Sequence, residues 1–92
     1  MFYLVCFDIS DHRMRRRAVK ILKGYGVRVQ KSVFECPRLN DRKFAAMKTR
    51  LDAEIDHGQD SFRFYAICRD CLAKVEYSGI GEAPEVLSFR VV

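Results

Sequence analysis

The strongest constraint on the fold is a short apolar run near the start of the chain that ends in an acid. Residues Phe2 to Phe7 are apolar at every position, and Asp8 follows directly. A run of this length is typical of a central β-strand that is covered on both faces or packed against a second copy of the chain. We therefore expect the first strand to lie inside a sheet and to carry a carboxylate at its end.

A basic amphipathic helix is predicted directly after that acid. Ser10 or Asp11 can cap its first turn, because either side chain can accept a hydrogen bond from a free backbone N–H. At helical spacing the apolar face contains Met14, Ala18, Ile21, Leu22 and Tyr25, and the opposite face contains Arg13, Arg16, Arg17, Lys20 and Lys23. Arg15 lies at the border. Gly24 and Gly26 are expected to end the helix in the left-handed backbone conformation.

The rest of the chain predicts further strands and one more helix. Apolar and polar residues alternate from Val27 to Cys36, which indicates two short strands or one bulged strand with a turn near Lys31 and Ser32. Val27, Val29 and Val33 are then expected to face the core. A helix from about Asn40 to His57 and a strand from Asp60 to Cys68 follow, with weaker strands predicted at Leu72 to Tyr77 and Val86 to Val92. The order is α+β: a βαββαβ chain with two helices on one face of an antiparallel sheet and one or two extra C-terminal strands. We expect a core domain at residues 1–77, and a loop and strand at 78–92 that contact a second copy or a partner.

Size, charge and hydropathy limit the classes of function that this chain can have. Ninety-two residues form one domain that is too small to enclose a deep cleft, so a site between two copies is expected. Residues 1–50 contain 13 Lys and Arg against 4 Asp and Glu, whereas residues 51–92 contain 4 against 8. Such an excess on one half favours binding of a polyanion, most often nucleic acid. No apolar run is long enough to span a membrane and no export signal is visible, so a cytoplasmic protein is expected.

The four cysteines fall into two groups. Cys6 and Cys36 lie in apolar strands and are predicted to be small core residues. Cys68 and Cys71 have the spacing of half a zinc knuckle, but there is no second pair. The alternatives are a turn between two strands or a metal site that two copies complete together.

Two segments together resemble a known family. The strand that ends in Phe7-Asp8-Ile9-Ser10-Asp11, the arginines at 13 to 17, and the segment Arg28-Val29-Gln30-Lys31-Ser32-Val33-Phe34-Glu35-Cys36 are similar to the small, universal CRISPR adaptation protein, which is also described as a CRISPR-associated endoribonuclease. The resemblance covers residues 1 to about 77. It implies a ferredoxin-like homodimer in which Asp8 faces its twin across the two-fold axis. Many members have tyrosine before the acid, where this chain has Phe7.

The resemblance also implies a chemistry and partners. Members are assigned magnesium-dependent cleavage of single-stranded RNA or duplex DNA, and they bridge dimers of the CRISPR integrase. Carried over by position, Asp8 would bind Mg²⁺, Arg15 and Arg17 would contact phosphate, and Arg28 and Phe34 would lie in the region of the site. The chain's own basic residues predicted to bind nucleic acid are Arg13, Arg16, Arg17, Lys20 and Lys31.

Each of these roles has a structural alternative. Asp8 can be a strand-end acid that accepts hydrogen bonds from the helix start. Phe34 can be a core or dimer-interface aromatic residue, and Arg28 and Lys31 can be solvated residues at a strand edge. For the whole chain we consider a magnesium-dependent nuclease, a catalytically silent DNA-binding bridge for the integrase, and a small-molecule-sensing regulator on the same fold, which the basic excess disfavours.

Overall fold

The predicted βαββαβ order is confirmed in the computed structural model, which describes residues 1–81. In chain order the elements are β1 (Phe2–Asp8), α1 (His12–Leu22), β2 (Val27–Gln30), β3 (Val33–Cys36), α2 (Asp41–Asp52), β4 (Ser61–Ile67) and a short α3 (Arg69–Leu72). The four strands form one sheet in the order β2-β3-β1-β4, and every pair is antiparallel. This is a ferredoxin-like α+β fold. No helix among the described residues is long and apolar enough to cross a membrane.

The first strand lies in the centre of the sheet, as its apolar run predicts. β1 pairs with β3 on one side and with β4 on the other, so that Val5 lies between Phe34 and Phe64. Side chains alternate along a strand, which places Val5 and Phe7 in the core and Leu4, Cys6 and Asp8 on the opposite face. Asp8 therefore ends the strand on the face away from the helices.

The hydrophobic core lies between that inner face and the two long helices. Its buried members are Val5, Phe7, Ile9, Ala18, Val19, Leu22, Phe34, Cys36, Leu39, Met47 and Leu51. The apolar faces predicted for both helices pack here, with Met14 and Ile21 of α1 and Phe44 of α2 at the margin of the core. Tyr25 and Ile55, which follow the two helices, also pack against it. Asp11 caps α1 by accepting a hydrogen bond from Met14 N–H at 2.9 Å, and Asn40 caps α2 through Lys43 N–H at 2.8 Å.

The second half departs from the prediction at two points. α2 ends at Asp52 and not at His57. After Ala53 the helical ladder is not continued: Glu54 N–H donates to the Leu51 carbonyl at 3.0 Å, and Asp56 N–H donates to the side chain of Asp60 at 3.0 Å. The strand predicted from Leu72 to Tyr77 is wrong as well, since α3 occupies its beginning and residues 73–77 pair with no strand among residues 1–81.

The β2–β3 hairpin confirms the irregular strand but corrects two details. The turn lies at Lys31 and Ser32, as predicted, and the register of the two strands shifts between Arg28 and Gln30. Val27 and Val29 are 64% and 43% exposed, because the bulged strand turns its arginine toward the helices and its valines to the other face. Neither glycine near the helix end has positive φ. Gly26 is needed for a different reason: a Cβ there would overlap the Glu35 carbonyl and lie 2.7 Å from Cys36 Sγ.

Two predictions fall outside the described part of the chain. The strand expected at Val86 to Val92 lies wholly outside residues 1–81. The division of the chain at residue 77 therefore stays a prediction.

Candidate nucleic-acid interface

Asp8 is an exposed carboxylate at the edge of the outer sheet face. It lies opposite Ser61 of β4, and the alternation of β1 places it on the same face as Leu4 and Cys6. Within residues 1–81 no three His, Cys, Asp or Glu side chains are grouped so that they could hold a metal ion. A metal ion at Asp8 would therefore need further ligands besides the side chains of residues 1–81.

The loop after Asp8 is held by a buried carboxylate that the sequence did not single out. Asp60 is only 8% exposed. Its Oδ1 accepts hydrogen bonds from Ser10 N–H at 3.1 Å and from the Ser10 hydroxyl at 3.3 Å, and its Oδ2 accepts one from Asp56 N–H at 3.0 Å. The backbone N–H groups of Asp56 and Ser10 lower the pKa of Asp60 and keep it charged. The only signal in the sequence was an acid immediately before a strand, and its partner is 50 residues away.

Arg15 holds the same loop from the helix side. Its Nε donates to the Ile9 carbonyl at 3.2 Å, and its Nη2 donates to the Ser10 carbonyl at 3.3 Å. Nη1 lies 3.4 Å from Nδ1 of His12. The guanidinium has five donors, so it can brace the loop and still present N–H groups to a ligand.

Most of the predicted phosphate contacts meet in one groove between α1 and β2, which we call the basic groove. It has a volume of about 420 Å³ and is lined by His12, Arg15, Arg16, Val19, Lys20, Lys23, Arg28 and Lys31. Six of these eight residues are Lys or Arg, and no acid is among the described residues that line it. Arg28 also donates from Nε and Nη2 to the Lys31 carbonyl, at 3.1 and 2.6 Å, which closes the hairpin turn beside the groove. Lys23 also lines the groove, although the sequence analysis did not name it as a nucleic-acid-binding residue. Its position on the basic face of the predicted helix was the signal for it.

Arg13 and Arg17 do not line the basic groove. Arg17 lies 3.6 Å from the Glu54 carboxylate, and its side chain is 58% exposed. Arg13 is likewise not among the residues that line the groove. The structure thus separates them from Arg15 and Arg16, although all four belong to one run of sequence.

Phe34 lies in the core and not at the surface. It is completely buried, and its ring centroid is 6.4 Å from that of Phe7. This corresponds to the core role that the sequence left open. Its ring supports the strand that carries Asp8, and direct contact with a substrate would require it to leave the core.

The sequence profile of the family described as "CRISPR associated protein Cas2" matches residues 1–75. The chain belongs to the CRISPR-associated Cas2 family. Its relatives include CRISPR-associated endoribonuclease Cas2 1 of Chloroflexus aurantiacus, with 40% identity over 92% of this chain and 91% of that protein. CRISPR-associated endonuclease Cas2 2 of Thermus thermophilus is 38% identical over 98% of this chain and 94% of that protein.

Solved Cas2-family structures share the fold over most of their length. Streptococcus pyogenes Cas2 at pH 6.5 matches with a TM-score of 0.77 and 36% identity, over 86% of this chain and all of that one. A chain of a partial Cas6-RT-Cas1--Cas2 complex matches with a TM-score of 0.73 and 25% identity, over 94% of this chain and 96% of that one. The residues matched by the family profile include β1 and α1, which carry Asp8 and most of the basic groove.

Proposed function

We propose that this chain takes part in CRISPR adaptation as a homodimeric, Mg²⁺-dependent endonuclease that acts on single-stranded RNA or duplex DNA. Membership of the Cas2 family supports the pathway, and the relatives named as an endoribonuclease and an endonuclease support the activity. The observation that carries the proposal is Asp8, an exposed carboxylate at the end of the central strand, followed by a loop that Asp60 and Arg15 hold in place.

The residues present fit Mg²⁺ only if two copies contribute. Mg²⁺ prefers oxygen ligands and keeps several waters, so one carboxylate from each copy and a substrate phosphate are sufficient. Asp8 is the ligand that this chain would supply. When bound, Mg²⁺ would polarise the phosphoryl oxygen and activate a water molecule for attack.

A second copy has a suitable surface on which to pack. The outer face of the sheet contains Tyr65, which is 46% exposed, and the partly exposed Leu4, Cys6 and Val33. Covering such a face removes apolar area from water and stabilises a dimer. Because Asp8 lies on this same face, a dimer formed there would bring two Asp8 residues toward each other.

The basic groove would hold the sugar-phosphate backbone. Its six Lys and Arg residues create a positive potential that attracts a polyanion and orients it along α1. Arg15 has the most direct role, because it contacts the loop after Asp8 and lines the groove at the same time. Its charge would stabilise the negative charge that develops on the phosphate during cleavage.

A DNA-binding bridge for the CRISPR integrase is the second candidate function. The basic groove favours it, because its cations lie between α1 and β2 and do not require Asp8 for binding. The similarity to a chain of a solved complex that contains Cas1 supports an integrase partner. A chain can serve as both nuclease and bridge.

Substitution of Asp8 separates the two functions. Asp8→Asn should abolish Mg²⁺-dependent cleavage and leave nucleic-acid affinity nearly unchanged, because the amide keeps the size of the side chain and loses its charge. Asp41→Asn, an exposed substitution at the start of α2, is the matched control. Equal cleavage by the Asp8→Asn variant and the wild type would remove the nuclease and leave the bridge.

A further inference from the structure

Cys68 and Cys71 form an exposed pair of thiols directly after β4. They lie at the far end of that strand from Ser61, which pairs with Asp8. Both are free and exposed. The backbone N–H of Cys71 donates to Cys68 Sγ at 3.4 Å. The Cys68 sulfur therefore lies against the turn that carries Cys71. The pair lines a shallow depression with Leu4 and Tyr65, and it lies neither in the basic groove nor beside Asp8.

The backbone at this pair suits an internal disulfide. Cys68 precedes the first residue of α3 and Cys71 lies within it. Residues three apart on a helical turn have Cα atoms about 5 Å apart. That distance lies inside the range of roughly 4.4 to 6.8 Å that is usual for the Cα atoms of a disulfide.

The two thiols differ in acidity. Cys71 lowers the pKa of Cys68, mainly through the hydrogen bond from its backbone N–H and to a smaller extent through its thiol. The same thiol contact raises the pKa of Cys71. Burial raises the pKa of the Cys36 thiol to about 11, so that residue stays protonated in the core. Among these thiols Cys68 is the one suited to attack first.

We propose that Cys68 and Cys71 are a redox-active dithiol that exchanges with low-molecular-weight disulfides such as oxidised glutathione. The Cys68 thiolate attacks one sulfur of the small disulfide, forms a mixed disulfide and releases one thiolate. Cys71 then loses its proton to solvent, and its sulfur attacks Cys68 Sγ and releases the second thiolate. The protein loses two protons and two electrons, and the small disulfide takes up the same number and becomes two thiols. This chemistry does not depend on the proposed nuclease or bridge function.

The test follows the thiols of the full chain in glutathione buffers of graded redox ratio. After acid quenching and alkylation, mass spectrometry should show that the free thiols of Cys68 and Cys71 disappear together, in one peptide that is lighter by two hydrogens. Cys71→Ser should trap glutathione on Cys68, because the second step is removed. Cys68→Ser should take up glutathione more slowly than Cys71→Ser, because the backbone N–H of Cys71 stabilises a thiolate at residue 68.

Cys6→Ser is the matched control, since Cys6 lies in β1 and should not change the exchange. Equal rates for the two single variants would overturn the assignment of Cys68 as the attacking thiol. A wild-type chain that accumulates the mixed disulfide, or that links two chains through these cysteines, would overturn the internal disulfide itself.

Discussion

The carboxylate of Asp60 accepts hydrogen bonds from both the backbone N–H and the hydroxyl of Ser10, at 3.1 and 3.3 Å. Asp8 at the end of β1 is paired with Ser61 at the start of β4, so Asp60 joins the two strand ends beside Asp8. The proposed metal ligand is therefore carried by a segment that is held from two directions, by Asp60 and by Arg15. A fixed carboxylate suits metal binding because little ordering remains to be done when the ion binds.

Asp60→Asn should lower the melting temperature at neutral pH by roughly 5 °C. The amide keeps one acceptor oxygen, but its NH₂ group faces an N–H donor and leaves it without a partner. Calorimetry or thermal unfolding followed by circular dichroism measures the change. Asp52→Asn is the control: its side chain forms an exposed ion pair with Lys48, and such pairs contribute little.

The difference between wild type and Asp60→Asn should shrink in acid. Backbone hydrogen bonds hold the pKa of Asp60 below its usual value of 3.8 in the folded protein. A group with a lowered pKa stabilises the fold fully above its unfolded pKa, and this contribution is lost as the pH falls through the folded pKa. The two melting temperatures should therefore converge below about pH 4. A difference between the two melting temperatures that stays constant down to about pH 2 would show that the charge of Asp60 does not stabilise its hydrogen bonds with Ser10 and Asp56.

The basic groove should dominate nucleic-acid binding over the other arginines of α1. Arg16→Ala with Lys20→Ala removes two cations that line the groove, and the slope of log affinity against log salt should fall by about one for each phosphate that the variant no longer neutralises. Arg13→Ala with Arg17→Ala removes the same charge from the same helix outside the groove. Fluorescence anisotropy at several salt concentrations compares the two. An equal reduction of the slope in both variants would mean that α1 acts through its total charge and not through the groove.

Gly26→Ala should disturb the wall of the basic groove that β2 provides. The new methyl group would overlap the Glu35 carbonyl, so β2 must move away from β3, at a cost of about 1–3 kcal/mol. Urea unfolding measures this cost, and nucleic-acid affinity should fall with it because Arg28 and Lys31 follow that edge. Gly24→Ala is the matched control, since its Cβ would meet only the Ile21 carbonyl at 3.3 Å. Equal stability of the two variants would contradict the close approach of the hairpin strands.

Local patterns were sufficient to predict most of the fold. The apolar run of β1, the helical spacing of the core residues in α1 and α2, and the change of parity near Lys31 all depend on neighbours in sequence. The cap of α1 was predicted as one of two residues. Asp11 has that role, and Ser10 instead donates to Asp60.

The features that sequence could not supply depend on distant partners. Nothing local links Asp60 to a loop 50 residues away, and nothing local decides which face of a bulged strand turns inward, which is why Val27 and Val29 were misplaced. The arginines at 13 to 17 looked like one surface, but the position of β2 divides them. α3 was missed because its N-cap is Cys68, whereas the residues that usually indicate a helix start are Ser, Thr, Asp and Asn.

The proposed metal site uses an Asp8 from each of two copies. It is tested most directly with a heterodimer of one wild-type chain and one Asp8→Asn chain, isolated through two different affinity tags and assayed for Mg²⁺-dependent cleavage. A shared site predicts activity close to that of the Asp8→Asn homodimer. Half of the wild-type rate would show that each Asp8 acts separately, and a monomeric mass in solution would remove the shared site altogether.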